Sequence, residues 1–518
     1  MTEKISLWFK KEFSNDHQTG YLPDERPPVW KLFLYAIQQI IVMFPATVLV
    51  ALITGFQVST TIFASGLATV CFIFITGRKV PLYYGSSFAY LTAVSSLMST
   101  QAIMSKLSPA ALAQLTAWQA GEISVLPGEA IAYAQFGIIM SGFVSIAAGL
   151  LIKFFGTKAV EKILPPSITG SIAMIIGLTL AGNALGDAAP SMAAIQAGTG
   201  WAVWVVSLAT LLSTVLFSKY LKGIWGQLPL LLGAAVGCVT AAIILAAGGQ
   251  DYNLFRTIDK ELLLSASPAF TPDGILAVPA FTIPKASWAA VAAIMPIAIA
   301  TIPESTAHMY QLDIYVKDVA DKKGKKMKYS LISKLWLNLI GDGIGDMISG
   351  FVGGPAGTNY GENISTMAIT RVFSTAVLLL AGIIAMVISF FTPLIRGIYG
   401  IPLAVIGGLE IYLFGAIAAQ GIAIMIDKSV DMFSAKNIAV IASIMVIGLG
   451  GNYAFGGNIP FFGIDVPCIA GAAIFGIFLN IILSIGDKKG KKGAAKEEVI
   501  AEVKEEAVAE AVAESDNQ

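Results

Sequence analysis

Long apolar runs recur along the whole chain and are separated by short polar stretches. Twelve of them are about 20 residues long, the length that an α-helix needs to cross a bilayer core. These runs begin near Trp30, Thr60, Ala130, Ser167, Gly200, Gln227, Ser287, Tyr329, Ser374, Pro402, Lys436 and Asp465. Two shorter segments, 80–99 and 358–370, bring the expected number of crossings to about fourteen. The pattern therefore predicts an all-α polytopic membrane protein.

The two short segments are expected to combine an extended strand with a half-helix. About five extended residues and about ten helical residues together span roughly 30 Å, which is enough to cross the core. The two halves of the chain also share a four-residue motif and a proline–glycine spacing. The matching residues are Tyr84-Gly85-Ser86-Ser87 with Tyr360-Gly361-Glu362-Asn363, and Pro165 and Gly170 with Pro402 and Gly407. Seven crossings in each half predict a 7+7 inverted repeat with two interrupted helices, which is typical of secondary transporters.

Five regions follow from this division. Residues 1–29 form a cytoplasmic N-terminal segment, 30–249 the first inverted repeat, and 250–286 an extracellular loop. Residues 287–486 form the second repeat, and 487–518 form a cytoplasmic low-complexity tail. The orientation rests on basic loops, because Lys and Arg are enriched on the cytoplasmic side. Clusters of these residues alternate with loops that are poor in both, which places both termini in the cytoplasm.

Composition narrows the functional class. Hydrophobic residues make up 56% of the 518 residues, charged residues make up 13%, and the formal net charge is zero. A basic surface for nucleic acid is therefore not expected. Cys71, Cys238 and Cys468 fall inside predicted crossings, as small buried apolar residues do. No cofactor motif or set of metal ligands is apparent, so neither a cofactor nor a metal is predicted.

The glycine-rich, acidic stretch from Gly353 to Ile364 is the main candidate for a site. Such a segment is tolerated at membrane depth only inside protein or beside a water-filled cavity. Glu362 stands at the start of the second half-helix, and Ser87 or Phe88 stands at the matching place in the first. Two helix N-termini beside a carboxylate suit a planar ligand that both donates and accepts hydrogen bonds. The alternative for Glu362 is capping of its own helix.

Glu304 and His308 form a second candidate. They lie four residues apart after Pro303 in an otherwise apolar run, so they share one helix face. A carboxyl group and an imidazole at membrane depth could relay a proton. The alternative is a structural polar pair, and two potential ligands without a third are weak evidence for zinc.

Several other polar and aromatic positions stay open. Asp342 and Asp346 share one face of a glycine-rich run, where they either bond neighbouring backbone or serve the function. Glu410 faces either a groove or a subunit contact. The aromatic residues that could sandwich a flat ring are Phe88, Tyr83, Tyr84 and Phe414.

The stretch from Gly353 to Arg371, with the Glu304-x-x-x-His308 pair, resembles the signature of the nucleobase–ascorbate transporter family (nucleobase:cation symporter-2), in particular its bacterial uracil permeases. The resemblance extends from about Arg26 to Gly486. It implies fourteen segments divided into core and gate domains, and a homodimer in the cell membrane. It also implies proton-coupled uptake of uracil by alternating access.

The same resemblance assigns roles to the candidate residues. Glu304 and Glu362 would bind the polar edge of the uracil ring. The backbone N–H groups of Phe88 and Gly361 would bind its carbonyl groups.

His308, together with Tyr360 and Glu304, would connect the site to the proton. Three positions depart from the family pattern. They are Ser365 in place of a glycine, Gln38-Gln39 in place of Gln-His, and Phe414 in place of a tyrosine.

Three alternatives remain open at this point. The same fold could carry a purine of the xanthine type or another nucleobase. It could carry an anion, although two carboxylates in the pocket argue against that. An intramembrane enzyme could use Glu304 and His308 as acid and base, but no nucleophile or cofactor motif supports catalysis.

Overall fold

The computed structural model describes residues 20–121, 123–156, 164–223, 225–256, 274–327, 329–462 and 464–485. Within these ranges the chain is mostly helical, as predicted. Most of the predicted N-terminal segment 1–29, part of the loop 250–286 and the tail 487–518 lie outside the described residues.

The first half of the chain contains one strand among its helices. In chain order the elements are α1 (Val29–Thr54), α2 (Val58–Ile75), β1 (Tyr84–Ser86), α3 (Leu91–Met98), α4 (Gln101–Met104), α5 (Pro109–Gln119), α6 (Gly128–Phe155), α7 (Pro166–Thr179), α8 (Ala181–Ala188), α9 (Met192–Gln196), α10 (Gly200–Tyr220) and α11 (Pro229–Gly248). Short 3₁₀ turns lie at Phe88–Tyr90, Trp225–Gln227 and Gln250–Tyr252.

The second half follows a similar order and adds a hairpin. Its elements are α12 (Trp288–Ile294), α13 (Ala298–Lys322), α14 (Leu335–Val352), β2 (Gly357–Asn359), α15 (Gly361–Thr370), α16 (Thr375–Ile388), α17 (Thr392–Tyr399), α18 (Leu403–Asp427), α19 (Ala435–Met445), α20 (Gly451–Phe455), β3 (Asn458–Phe461), β4 (Ile464–Pro467) and α21 (Cys468–Ser484). Met295–Ile297 and Ile332–Lys334 are 3₁₀ turns, and Val446–Gly450 is a π-helical turn.

Nine helical stretches of the described chain are long and apolar enough to cross a membrane. They are Val29–Thr54, Val58–Ile75, Gly128–Phe155, Pro166–Gln196, Gly200–Tyr220, Pro229–Gly248, Trp288–Lys322, Leu403–Asp427 and Ala435–Phe455. Shorter apolar helices are Phe88–Met98, Thr375–Ile388 and Cys468–Ser484. These stretches begin close to the apolar runs identified in the sequence.

The two short segments meet as a strand pair. β1 and β2 are antiparallel, and each leads directly into a helix, β1 through a 3₁₀ turn into α3 and β2 into α15. The paired residues are Tyr84 with Asn359, Gly85 with Thr358, and Ser86 with Gly357. The expected change from extended chain to helix is present in both segments, and three residues of each extended stretch pair as a strand.

The sequence match between 84–87 and 360–363 does not join equivalent positions. The N-cap residue of the first helical turn is Ser87, and that of α15 is Tyr360, so the two motifs are three residues out of register. Glycine is required at position 85 for a steric reason, because a Cβ atom there would lie 2.2 Å from Cζ of Tyr360. The repeated Tyr-Gly therefore reflects two different packing requirements.

Helix packing relates the two halves. α6 packs on α14, and α16 packs on α2. Both contacts are close at glycine, since a Cβ atom on Gly142 would lie 2.3 Å from the carbonyl oxygen of Gly343. A Cβ atom on Gly66 would lie 2.5 Å from the carbonyl oxygen of Gly382. Side chains at these positions would force the helices apart.

The predicted match of Pro165 with Pro402 does join equivalent positions. These prolines are the N-cap residues of α7 and α18, which pack on each other. The glycines five residues later, Gly170 and Gly407, both permit close backbone contact.

A β-hairpin that the apolar pattern does not predict precedes α21. β3 pairs with β4 after Gly456 and Gly457, whose φ angles of 61° and 93° are readily adopted by glycine. α21 consequently begins at Cys468 rather than near Asp465.

The stretch before α1, residues 20–28, forms a strap across the ends of α13 and α15. The N–H of Tyr21 donates to the carbonyl of Arg371 at 2.8 Å. Glu25 forms ion pairs with Lys323 and Lys325, with N–O distances of 2.5 and 2.6 Å. Burial disfavours ionisation of Glu25, but the hydrogen bonds from the two lysines outweigh it and lower its pKa to about 2.

Glu25→Gln should therefore destabilise the protein in a pH-dependent way. The pKa of Glu25 in the folded protein lies below its unfolded value of 4.5. The ionised carboxylate therefore contributes fully to the free energy of unfolding above pH 4.5, and this contribution is lost as the pH falls toward 2. Because the Glu25 carboxylate is partly exposed and its ion pairs are screened by solvent, we expect the substitution to lower the free energy of unfolding by only about 1 kcal/mol at neutral pH. Thermal unfolding of the detergent-solubilised protein measures the difference. Asp318→Asn, in an exposed pair with Lys322, is the control and should change little. A difference between Glu25→Gln and the wild type that stays constant down to low pH would contradict this account.

Candidate functional site

A cavity of about 510 Å³ lies where the two strand-to-helix junctions face α7, α13 and α18. The six residues to which the family resemblance assigns a role all line it. They are Glu304, Glu362, Phe88, Gly361, Tyr360 and His308. Side chains and backbone from both halves of the chain therefore converge on one space.

Two carboxylates give the cavity its charge. Glu304 lies on α13 and Glu362 is the second residue of α15; both are partly exposed, and their charges repel each other. No Lys or Arg is among the described residues that line the cavity. Within the described chain, no group of three or more His, Cys, Asp or Glu side chains is placed to hold a metal ion. The cavity therefore favours a ligand with hydrogen-bond donors.

The N-terminus of α15 supplies donors beside these carboxylates. The helix begins at Gly361, and its N-cap Tyr360 forms no side-chain cap hydrogen bond. First-turn N–H groups have no acceptor within their own helix and carry partial positive charge. Glu362 follows this start by one residue, so it is not the N-cap residue.

The other junction is built differently. Ser87 caps the 3₁₀ turn, and its Oγ accepts from the N–H of Ala89 at 3.3 Å. The N–H of Ser87 donates to the carbonyl of Ala356 at 3.0 Å, which extends the strand pair. Phe88 follows directly and presents a partly exposed side chain to the cavity.

His308 lies against the second junction. A Cβ atom on Gly361 would be 2.9 Å from Nε2 of His308, so any larger residue at position 361 would displace the imidazole. His308 is 8% exposed as a residue, and its Nδ1 has no hydrogen-bond partner among the described residues. Glu304 lies one helical turn away, but no hydrogen bond joins it to His308 in the described part of the chain.

Tyr360 is held by structural contacts. Its hydroxyl lies 2.9 Å from Oγ1 of Thr47 and donates to the carbonyl of Ser86 at 3.0 Å. Its ring stacks on Tyr83, with centroids 6.5 Å apart. These contacts fix the strand pair to α1, and the phenol makes no hydrogen bond to His308 within the described chain.

Asp342 and Asp346 lie beneath the cavity rather than in its lining. Asp346 accepts from the N–H of Gly357 at 2.8 Å and from the hydroxyl of Tyr84 at 2.5 Å. Asp342 accepts from Nδ2 of Asn359 at 3.1 Å. Both carboxylates thus bind β2 to α14, which favours the structural alternative for the pair.

The expected aromatic sandwich is not formed. Of the four aromatic candidates only Phe88 lines the cavity. Tyr83 and Tyr84 are buried around the strand pair, and Phe414 is buried where α18 packs on α7. Sequence hydropathy could not separate these positions, because it does not show which side chains of a segment face the cavity.

Sequence reasoning missed the wall that faces the two junctions. This wall comes from α7 and α18 at spacings of three or four residues, which mark one helix face. Its residues are Thr169, Ala173, Ile176, Leu413, Ala416, Ile417, Gln420 and Ile424. Most are small or apolar, so periodicity was the only signal. Gln311, Gln227 and Ser365 complete the polar lining.

The chain matches known permeases over most of its length. Residues 30–457 match the family model Xan_ur_permease, described as a permease family. The uracil permease of Bacillus caldolyticus is 33% identical over 460 residues, covering 89% of this chain and 93% of its own length. The uracil permease of Escherichia coli K12 is 30% identical over 462 residues, with coverage of 89% and 93%.

A solved structure shares the fold at much lower identity. Murine Solute Carrier 26 family member A9, an anion transporter in the inward-facing state, aligns with a TM-score of 0.59 and 12% identity. The alignment covers 89% of this chain and 69% of that one. At this identity the likeness concerns the fold alone.

Proposed function

This chain belongs to the xanthine and uracil permease family (nucleobase:cation symporter-2), and from that premise we propose that it is a proton-coupled uracil symporter working by alternating access. Membership makes it a multi-pass membrane transporter of nucleobases rather than an enzyme. The observation that carries the finer proposal is the convergence of Glu304, Glu362 and both strand-to-helix junctions on one cavity.

Uracil complements the groups that the cavity offers. It is a neutral, planar ring with two N–H donors and two carbonyl acceptors. In our proposal Glu304 and Glu362 accept from the ring, and the N–H groups of Phe88 and Gly361 donate to its carbonyls. A hydrogen bond to a charged group contributes about 1.5–3 kcal/mol, so the two carboxylates together supply roughly 3–6 of the about 8 kcal/mol that micromolar binding requires, and the backbone donors and burial of the ring supply the rest.

An anion is disfavoured by the same residues, although the fold is shared with an anion transporter. Two carboxylates line the cavity, and no basic side chain of the described chain does. Desolvating an anion there would have no compensating charge. The cavity discriminates less clearly between uracil and a purine, because a volume of about 510 Å³ also has room for two fused rings.

Proton coupling is proposed to act through Glu304 and His308. Both line the cavity one helical turn apart, and His308 touches the junction that would bind the ligand. A proton on either group changes which hydrogen bonds the cavity can offer. Ligand and proton then stabilise the same conformation, which is all that coupling requires.

Alternating access rests on the proposed 7+7 repeat of residues 30–249 and 287–486. The repeat would make α2 equivalent to α14, and α6 equivalent to α16. The contact of α6 with α14 and the contact of α2 with α16 are then related by the symmetry of the repeat. The contacts of α2 with α14 and of α7 with α18 each join two helices that are equivalent in the repeat. In this proposal the fourteen segments are the nine long spans, the three shorter helices, α14 and α15.

Orientation is proposed from the basic residues. Lys323 and Lys325 follow α13, and Lys428 follows α18. The cavity lining extends along these helices from the junctions to Gln311 and Ile424, toward the same ends. The positive-inside rule makes that side cytoplasmic, so the cavity faces inward and both termini are cytoplasmic. We include in the proposal the homodimer that the family implies.

Purified protein in proteoliposomes should accumulate labelled uracil when the outside is made acidic. Accumulation should collapse when a protonophore removes the pH gradient, because the proton supplies the driving force. Unlabelled uracil should compete at far lower concentration than xanthine. Uptake that ignores the gradient would refute coupling, and stronger competition by xanthine would favour the purine alternative.

A further inference from the structure

A second cluster of charged groups lies apart from the cavity, where α8 packs on α18. Glu410 on α18 is 0% exposed, and neither of its carboxylate oxygens has a hydrogen-bond partner among the described residues. The helices touch one turn earlier, because a Cβ atom on Gly407 would lie 2.2 Å from the backbone nitrogen of Ala188. Glu410 does not line the cavity.

The nearest charged partner of Glu410 is another carboxyl group. Asp187 lies on α8 against the turn of α18 that precedes Glu410, because a Cβ atom on Gly407 would lie 2.4 Å from the carbonyl carbon of Asp187, and the two carboxyl groups act on each other electrostatically. Ionised carboxylates have only acceptor atoms, so Asp187 and Glu410 cannot form a hydrogen bond with each other while both are charged. The contact becomes a hydrogen bond as soon as one of the two holds a proton.

Arg256 supplies one positive charge to this pair. Its Nε donates to the carbonyl of Ile401 at 2.9 Å and its Nη1 to Oγ of Ser124 at 2.9 Å. Its Nη2 is buried and has no partner in the described chain, and its charge attracts Asp187 and Glu410. One guanidinium balances one carboxylate, so the second requires a proton to be neutral.

We propose that Asp187 and Glu410 form a proton-binding carboxyl pair beside Arg256, separate from the substrate cavity. Like charges this close cannot both ionise without a large cost, so the pair shares one proton. A metal cation is disfavoured because Arg256 already occupies the positive position. The proton would hold α8 against α18, and its loss would loosen the loops that Arg256 connects.

Other titratable groups near this pair are few. Tyr399 on α17 faces Arg256. α11 carries Cys238, α10 carries Lys219 and Tyr220 only in its last turn, and α7 carries none. The pair is therefore the group whose titration should govern this contact.

Infrared difference spectroscopy of the substrate-free protein tests this inference without any transport assay. Raising the pH should bleach a carboxylic-acid C=O band that is missing from both Glu410→Gln and Asp187→Asn. Glu129→Gln, an outlying carboxylate bonded to Ser108, is the control and should keep the band. Full retention of the band in the Glu410 and Asp187 variants would overturn the proposal.

Thermal unfolding gives a second, independent readout. The wild type should lose stability as the pH rises and the shared proton leaves, whereas Glu410→Gln should show less than half of that slope. Stabilisation by sodium in place of protons would overturn the proposal in favour of a metal cation. Neither experiment uses uracil, so failure of the proposed transport function would leave this result intact.

Discussion

Glu362→Ala and Glu304→Gln should each abolish saturable uracil uptake while the protein still reaches the membrane. Each carboxylate is proposed to accept a hydrogen bond from the ring, and removing a charged partner leaves an N–H unpaired in a desolvated cavity. The expected loss is about 1.5–3 kcal/mol of binding, or roughly 10- to 150-fold in affinity, for each substitution. Initial uptake rates over a range of uracil concentrations measure it.

Two controls separate binding from folding. Glu129→Gln removes a carboxylate that bonds Ser108 outside the cavity and should leave uptake unchanged. Quantified membrane protein and an unchanged thermal midpoint should accompany the loss in both cavity variants, because neither side chain is fully buried. Undiminished uptake in both variants would refute the proposed site.

The sequence indicated which polar residues line this cavity, because their chemistry is unusual for a membrane. Carboxylates and an imidazole in apolar runs are conspicuous, and Glu304, His308 and Glu362 all line the cavity. The wall formed by α7 and α18 was not predictable, since residues such as Ala173 and Ile417 resemble any lipid-facing or buried position. Only the packing of the two helices decides which face meets the cavity.

The fold was predictable to the same extent and for similar reasons. Hydropathy found the helices, and the polar stretches found both strand-to-helix junctions. The register of the Tyr-Gly match was wrong, because a short motif cannot distinguish a glycine beneath a tyrosine ring from one beneath a histidine. The β3–β4 hairpin was missed because its eight strand residues carry no clear alternation.

Glu410 illustrates the opposite case. From the sequence it was one more acidic residue in an apolar run, with a groove or a subunit contact as its alternatives. The structure places it in an intramolecular contact with α8, beside a second carboxyl group 223 positions earlier in the chain (410 minus 187). Pairing across that distance depends on the α8–α18 packing, which no local pattern encodes.

Gly85→Ala should unfold the strand pair and abolish uptake. The new Cβ would lie 2.2 Å from Cζ and 2.3 Å from Cε2 of Tyr360. The ring cannot move aside, because Thr47 and the Ser86 carbonyl hold its hydroxyl and Tyr83 stacks on its face. Overpacking of this kind costs about 1–3 kcal/mol, and we expect the upper end of that range. Thermal unfolding and uracil uptake measure the two effects.

A double-mutant cycle identifies the cause of that loss. In a Tyr360→Ala background the ring is absent, so Gly85→Ala should cost much less than it does in the wild type. Gly415→Ala in α18 is the matched control, since no side chain and no backbone of another described segment lies within 4 Å of the new methyl group. That change should be neutral or stabilise the helix by about 0.5–1 kcal/mol. If Gly85→Ala were equally costly with and without the Tyr360 ring, the clash would not be the reason, and the strand pair would need another explanation for its glycine.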